Sequence, residues 1–242
     1  MSERRTALVT GSSSGIGAAV ARRLAREGYR VAVNSARSVA AGEEVSKNLP
    51  DAAYFQADIS DPQQARQLAA DVVERFGRLD VLVNNAGTTR HIPHADLESV
   101  TPEVWREILD VNLIGTWQLT VAAVPHLRAT GDGSVVTVSS IAGSRPAGSS
   151  IPYAVSKAAL EHLTRLLAGV LGPEIRVNAV APGLIDTEWT ASLAGPREQV
   201  AALAPLRRIG TVDDVAEAVL GLIRSPYSTG SVLLADGGTH LR

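Results

Sequence analysis

The sequence has no cysteine, one methionine, two phenylalanines and only 4% aromatic residues. The missing thiols exclude disulfides, cysteine-ligated zinc, iron–sulfur clusters and any cysteine nucleophile. Charge of either sign is not in excess: 23 Lys and Arg stand against 25 Asp and Glu, a net of −2. With no basic block there is no field to gather nucleic acid or anionic lipid, and neither is expected as a partner. Long apolar runs are also missing, and no window approaches the ~18 residues of a membrane span. Behind the polar start Met1–Arg5 the apolar run is only Ala7-Leu8-Val9, shorter than a signal-peptide core. The expected location is therefore the cytoplasm. His91 and His94 lie three apart without a third ligand at a fitting spacing, so no metal site is expected.

What is present is 242 residues, 45% of them apolar, enough for one core that buries roughly 70–75% of the unfolded surface. Short β-branched runs alternate with longer amphipathic stretches, the pattern of β-α-β units on a parallel sheet. Strands are expected over Thr6–Thr10, Arg30–Asn34, Ala53–Gln56, Leu79–Val83, Ser134–Ser139, Arg176–Val180 and Ser231–Leu234. Helices are expected over Ile16–Glu27, Ala40–Asn48, Gln63–Phe76, Pro102–Leu127, Tyr153–Leu171 and Val212–Ile223. This predicts an α/β, Rossmann-type, doubly wound fold: a seven-stranded parallel sheet with helices on both faces, in a single domain over 1–242. Glu188–Leu206 breaks the rhythm at Gly195-Pro196 and reads as a substrate lid. Trp105 and Trp117 read as packing residues, whereas Trp189 stands at the lid's start and is a candidate wall of the substrate pocket.

The first βα turn, Thr10-Gly11-Ser12-Ser13-Ser14-Gly15-Ile16-Gly17, has glycines where the chain must turn and let a phosphate approach the backbone. Free N–H groups at the following helix start favour a diphosphate there, with Ser13 and Ser14 as added donors. No Lys of a nucleotide-triphosphate loop is present, which argues against ATP and GTP. After the second strand the sequence reads Asn34-Ser35-Ala36-Arg37-Ser38, without the carboxylate that would bind the ribose diol of NAD(H). Arg37 and Ser38 suit a 2′-phosphate, so NADP(H) is expected over NAD(H), although Arg37 also reads as a solvated residue opening a helix. Asp58, with Ile59, lies at the end of the third strand and is read either as an adenine contact or as a helix cap, for which Asp61 is the better candidate. Asn84-Asn85-Ala86-Gly87 follows the fourth strand, where small residues let a flat ring lie on the backbone.

The sharpest signal is Tyr153-Ala154-Val155-Ser156-Lys157, with Ser140 thirteen residues before Tyr153. Tyr153 and Lys157 share one helical face. An ammonium beside a phenol is expected to lower the phenol's pKa from about 10 and so prepare a proton donor for a carbonyl oxygen. Ser140 can steady the same oxygen. Asn112, expected in mid-helix, is read as holding a proton-carrying water towards Lys157.

Together these motifs resemble a short-chain dehydrogenase/reductase of the single-domain type, over nearly the whole chain. The similarity rests on Thr10–Gly17, Asp58, Asn84–Gly87, Asn112, Ser140, Tyr153–Lys157, Pro182-Gly183-Leu184-Ile185-Asp186-Thr187 and Asp236-Gly237-Gly238. The resemblance implies a catalytic tetrad Asn112, Ser140, Tyr153 and Lys157. It also implies nicotinamide contacts from Ile185 and Thr187, further cofactor contacts from Pro182 and Gly183, hydride transfer to a carbonyl or from a secondary alcohol, and a homotetramer. Within the family the chain is most similar to 3-oxoacyl-carrier-protein reductases, which implies basic carrier-docking residues at positions matching Gly131 and Pro173. Neither is basic, so carrier docking is not expected unless His126, Arg128 or Arg165 supplies it. The competing readings are an NAD-dependent alcohol dehydrogenase, a dinucleotide-binding regulator without turnover, and a nucleotide-sugar epimerase or dehydratase. The intact tetrad opposes the regulator; the chain length and glycine spacing oppose the epimerase.

Overall fold

Ala7 and Val9 pack on one side of the first strand and Leu8 on the other, all fully buried, so apolar layers cover both faces of the sheet. The computed structural model describes residues 4–190 and 194–241. The strands are β1 (Thr6–Val9), β2 (Arg30–Ser35), β3 (Ala52–Gln56), β4 (Val81–Asn84), β5 (Gly133–Val138), β6 (Ile175–Pro182) and β7 (Val232–Ala235). They form one parallel sheet in the order β3-β2-β1-β4-β5-β6-β7. The helices are α1 (Gly15–Arg26), α2 (Val39–Lys47), α3 (Pro62–Phe76), α4 (Pro102–Leu109), α5 (Thr116–Arg128), α6 (Ile151–Leu171), α7 (Ala194–Leu203) and α8 (Val212–Arg224). The doubly wound prediction holds, and all seven strands form where expected to within two residues. The order reverses between β1 and β4, which opens a crevice at the strands' C-terminal ends where ligands of such sheets bind.

Local chemistry explains the helix starts that matter. Asp61 caps α3 by accepting from the N–H groups of Gln63 and Gln64, as expected of it rather than of Asp58. Ser150, fully buried, accepts from Tyr153 N at 3.4 Å and starts α6 two residues earlier than the sequence suggests, with Pro152 in the first turn. Tyr153 is thereby fixed in the most tightly capped turn of that helix.

Three expectations need correction. The stretch Pro102–Leu127 is not one α-helix: a π-helical turn over Asp110–Gly115 separates α4 from α5. Gly115 lies so close to the backbone of Ile59 that a Cβ would fall 2.9 Å from its carbonyl oxygen, and the widened turn accommodates that approach. The run Pro102–Arg128 is also, by length and composition, apolar enough to cross a membrane. It instead lies along the sheet with Ile108, Leu119, Ala123 and Leu127 fully buried. Trp117 is not a core residue either; 44% exposed, it forms a stripe with Ile114 and Val121 on the outer face.

Candidate active site

The wall of the crevice formed by β1 and β4 is built from internal hydrogen bonds. Thr10 Oγ1 accepts from the N–H groups of Asn85 and Ala86, each at 3.0 Å. Asn85 Nδ2 donates to the carbonyls of Thr10 and Gly11 at 2.9 and 3.0 Å. Ser12, fully buried, donates to Val9 O at 2.6 Å and accepts from Asn34 N at 3.0 Å. Asn34 in turn reaches the carbonyls of Phe55 and Ala57 at the end of β3. Gly11 has φ +60°, and a Cβ on Gly17 would fall 2.4 Å from Gly11 O. Only glycine permits this approach. Helix α1 begins at Gly15 with no side-chain cap and no acidic residue in its first turn. Its N-terminus is therefore left to attract an external anion.

The facing wall is built by β5 and α6. Lys157, buried, donates from Nζ to the Val138 carbonyl at 2.9 Å, and its nitrogen stands 5.5 Å from the Tyr153 ring centroid. Burial lowers its pKa to about 8. Burial also raises the Tyr153 phenol above its ordinary value, with a hydrogen bond from Ser140 acting in the opposite direction. This corrects the expectation of a phenol lowered by Lys157: burial is the largest influence on the phenol, and the one group that opposes it is the Ser140 hydroxyl. The protonated phenol is what a donor to a carbonyl oxygen requires. Ser140 opens the 3-10 turn Ile141–Gly143, and its Oγ accepts from Ala142 N at 3.2 Å.

Asn112 is fully buried in the π-helical turn and its amide is already engaged. Oδ1 accepts from Thr88 N at 2.7 Å, while Nδ2 donates to Thr88 O and Ser156 Oγ, each at 3.0 Å. Ser156 Oγ donates on to Tyr153 O at 2.7 Å. The side chain thus braces the loop after β4 against the first turn of α6, with one hydrogen bond accepted at Oδ1 and two donated from Nδ2. Gly87 lies between the two groups: a Cβ there would be 3.3 Å from Asn112 Oδ1 and 3.9 Å from Lys157 Nζ.

Between these walls lies a cleft of about 350 Å³. Of the expected cofactor residues, Gly11, Ser13, Ser14, Gly15, Ile16, Gly17, Asn85, Ala86, Gly87, Tyr153, Lys157, Pro182, Gly183, Ile185 and Thr187 all line it, together with Ser140 and Trp189. Arg37, Ser38, Asp58 and Ile59 do not. Arg37 and Ser38 are exposed beyond the end of β2; the Arg37 carbonyl accepts from Val39 N at 3.0 Å, while its guanidinium has no hydrogen bond or ion pair among the described residues. Asp58 accepts from Ser60 N and Oγ, at 3.0 and 2.6 Å, while Ile59 is buried beneath Gly115. Val138, Ser139, Glu188 and Thr190 also line the cleft and were not singled out from the sequence. Thr190 was findable: three residues after Thr187, its hydroxyl donates to Ile185 O at 2.6 Å and so folds the segment after β6 back over the cleft.

The lid segment is fastened at both ends. Glu188–Thr190 forms a 3-10 turn, Arg197 bonds Asp186 at 2.5 Å, and Ala204 is buried. Leu206 N donates to Gly237 O at 3.1 Å. Leu193 lies outside the described residues. Trp189 lines the cleft while 46% exposed. No group of three or more His, Cys, Asp or Glu side chains gathers to hold a metal among the described residues, and His91 is exposed.

The cleft fits a dinucleotide on two observations. Its floor is a glycine loop packed so closely on Asn85 and Ala86 that Gly11 and Gly17 have no room for a Cβ, which leaves bare backbone towards the cleft, and it ends at a buried ammonium with a single protein acceptor among the described residues. Comparison with known proteins agrees. The family model described as "Enoyl-(Acyl carrier protein) reductase" matches residues 11–240. The chain is 65% identical over 242 residues to a Streptomyces violaceoruber protein named "Granaticin polyketide synthase putative ketoacyl reductase 2", covering 99% of this chain and 97% of that one. Among solved structures it is similar to a "putative short-chain dehydrogenase/reductase" from Burkholderia xenovorans, with a TM-score of 0.93, 38% identity and 100% of both chains covered. It is also similar to ElxO with NADP bound, with a TM-score of 0.90, 29% identity, and 99% of this chain and 100% of that one covered. The family model over residues 11–240 and the match along the whole chain to a short-chain dehydrogenase/reductase agree with the fold and the cleft: the chain belongs to the short-chain dehydrogenase/reductase family.

Proposed function

We propose that the protein is an NADP(H)-dependent ketoreductase that reduces a carbonyl to a secondary alcohol. The observation that carries this is a protonated, Ser140-bonded phenol one helical turn from a buried ammonium, at the edge of a dinucleotide-sized cleft. NADP(H), when bound, supplies the hydride. Ser140 orients the substrate oxygen, Tyr153 gives it a proton as negative charge develops, and Lys157 holds the cofactor ribose and sustains the proton supply. Ser13, Ser14 and the start of α1 would hold the diphosphate, Pro182, Gly183, Ile185 and Thr187 the nicotinamide, and Arg37 with Ser38 the 2′-phosphate. Asp58 and Ile59 would border the adenine, while Asn112 keeps Tyr153's turn in place. Trp189 and the lid 188–206 would close an apolar pocket over the ketone and exclude water. The similarity to a protein named for ketoacyl reduction favours a 3-oxoacyl thioester or a related polyketone as substrate.

The exposed apolar residues Ile114 in the π-helical turn, Trp117 and Val121 on α5, and Val155, Leu166 and Val170 on α6 suit a second copy of the chain. Leu233 on the edge strand β7 suits a further copy, which gives a two-fold symmetric homotetramer, and light scattering at micromolar concentration should report four subunits. We place the enzyme in the cytoplasm, where reduced dinucleotide is available. Function is tested by following NADPH oxidation against acetoacetyl thioesters, simple and polycyclic ketones, and quinones. Ketone-dependent oxidation that disappears in a folded Tyr153→Phe protein is the expected result. Undiminished reduction by that variant, or no turnover with any carbonyl, would overturn the reading.

A further inference from the structure

Tyr153, Lys157 and Glu161 follow one another at intervals of four, so they share one face of α6. That face meets three consecutive residues at the end of β5. Tyr153 lines the cleft with Ser140, whose hydroxyl acts on its phenol, Lys157 bonds the Val138 carbonyl, and Glu161 Oε1 accepts from Ser139 Oγ at 3.2 Å. Glu161 is only 6% exposed, and no proton step derived above uses it. Burying a carboxyl costs stability. Burial raises the pKa of this one, with the Ser139 hydroxyl and the field of Arg165 acting against the rise.

The geometry shows what the carboxyl does there. A Cβ on Gly143 would fall 2.7 Å from Glu161 Oε1 and 2.9 Å from the carbonyl carbon of Lys157, so the turn Ile141–Gly143 lies flat against this part of α6. The same turn fixes Ser140 through the bond from Ala142 N. Ser139 has one hydroxyl proton and two acceptors within reach, Lys157 O at 3.1 Å and Glu161 Oε1 at 3.2 Å. A carboxylate is the stronger acceptor, and it draws the hydroxyl away from the helix carbonyl towards the turn.

We propose that Glu161 is a positioning residue for the reduction: by accepting from Ser139 and backing the turn Ile141–Gly143, it holds Ser140 Oγ within reach of Tyr153 and of the substrate oxygen. This rests on Tyr153 being the proton donor. Glu161→Leu keeps the bulk and removes the acceptor. It should lower kcat about tenfold through misplacement of Ser140, with the Kd for NADPH unchanged and the ketone KM within about twofold. Glu161→Gln retains an acceptor oxygen and should bring kcat back to within about twofold of wild type. Ser139→Ala should reproduce the loss, and the double variant Ser139→Ala/Glu161→Leu should lose no more than either single one, because both break the same link.

A readout independent of turnover is the titration of the Tyr153 phenol in the cofactor-free protein, followed as the ultraviolet phenolate signal that Tyr153→Phe removes. Weakening the Ser140 bond should move that titration to higher pH in Glu161→Leu and in Ser139→Ala. Wild-type kcat and wild-type phenol titration in Glu161→Leu would overturn the proposal, as would losses that multiply in the double variant. If Glu161→Leu fails to fold, the same results in Ser139→Ala would overturn it. A wild-type protein that reduces no ketone would overturn the ketoreductase reading instead, and the phenol titration would still decide this one.

Discussion

On the β1–β4 side of the cleft, Thr10, Ser12, Asn34 and Asn85 direct their side chains into neighbouring backbone. On the β5–α6 side, Lys157 has one protein acceptor for a buried ammonium, and the phenol of Tyr153 lies where burial opposes its ionisation. In the first wall these four side chains are satisfied, so they stabilise the fold and shape a surface. The second is held in a state that costs folding energy, and the chemistry is located there. Polar residues side by side on one sheet edge thus have opposite relations to stability.

That difference can be broken experimentally, beginning with its largest effect. Thr10→Val removes the acceptor of two backbone N–H groups at the heart of the satisfied wall. At about 1–2 kcal/mol for each part-buried donor left alone, the lower part of the range for such groups, it should lower unfolding free energy by roughly 2–4 kcal/mol, while kcat of the folded fraction stays near wild type. A loss confined to kcat would mean that this wall takes part in the chemistry. Arg37→Ala removes a cation that nothing in the protein uses, so stability should not change. NADPH affinity should fall by about ten- to a hundredfold, the equivalent of roughly 1.5–3 kcal/mol, and NADH affinity should hardly move. Equal losses for both dinucleotides by calorimetry would remove Arg37 from the 2′-phosphate site. The smallest effect is expected from Trp189→Ala, which should raise the ketone KM about three- to tenfold, the range of a single aromatic contact of roughly 0.5–1.5 kcal/mol. Unfolding should then shift by no more than about 0.5 kcal/mol. A destabilised protein with unchanged KM would make Trp189 a packing residue.

The sequence made the scaffold legible because its signals are local. Uninterrupted runs such as Val81-Leu82-Val83 mark strands covered on both faces, and Asp61 ahead of Pro62 marks a helix start. The site was legible as a set of residues but less so as a set of roles, since roles depend on partners distant in the chain. Asn85 reads as part of a turn after a strand, and only the fold shows it tethering the glycine loop; Asn112 reads as a polar residue in mid-helix, and only the fold shows its amide bracing Thr88 and Ser156. The break at Asp110–Gly115 has no period of its own to detect, because its cause is the backbone of Ile59 pressing on Gly115. Trp117 looks like core by its type, yet it faces outward on a stripe that suits a second subunit. Ser139 and Glu161 were passed over because the adjacent Ser140 and Lys157 match a known pattern, and only the sheet-to-helix packing joins the former pair.

The contrast between the walls is tested most directly by the stability of Lys157→Met as a function of pH. The folded pKa of Lys157, about 8, lies below its ordinary 10.5. The cost to the fold is therefore fully present below about pH 8, fades as pH rises from there, and is gone above the unfolded value. Full relief would be worth about 3 kcal/mol, less roughly 1 kcal/mol for the lost bond to Val138. The variant should lose turnover by at least about a hundredfold and yet resist denaturant better than wild type at pH 7, by about 2 kcal/mol after that subtraction, with the advantage disappearing at strongly alkaline pH. A Lys157→Met protein that is less stable than wild type at pH 7, or whose stability difference does not change with pH, would contradict the account.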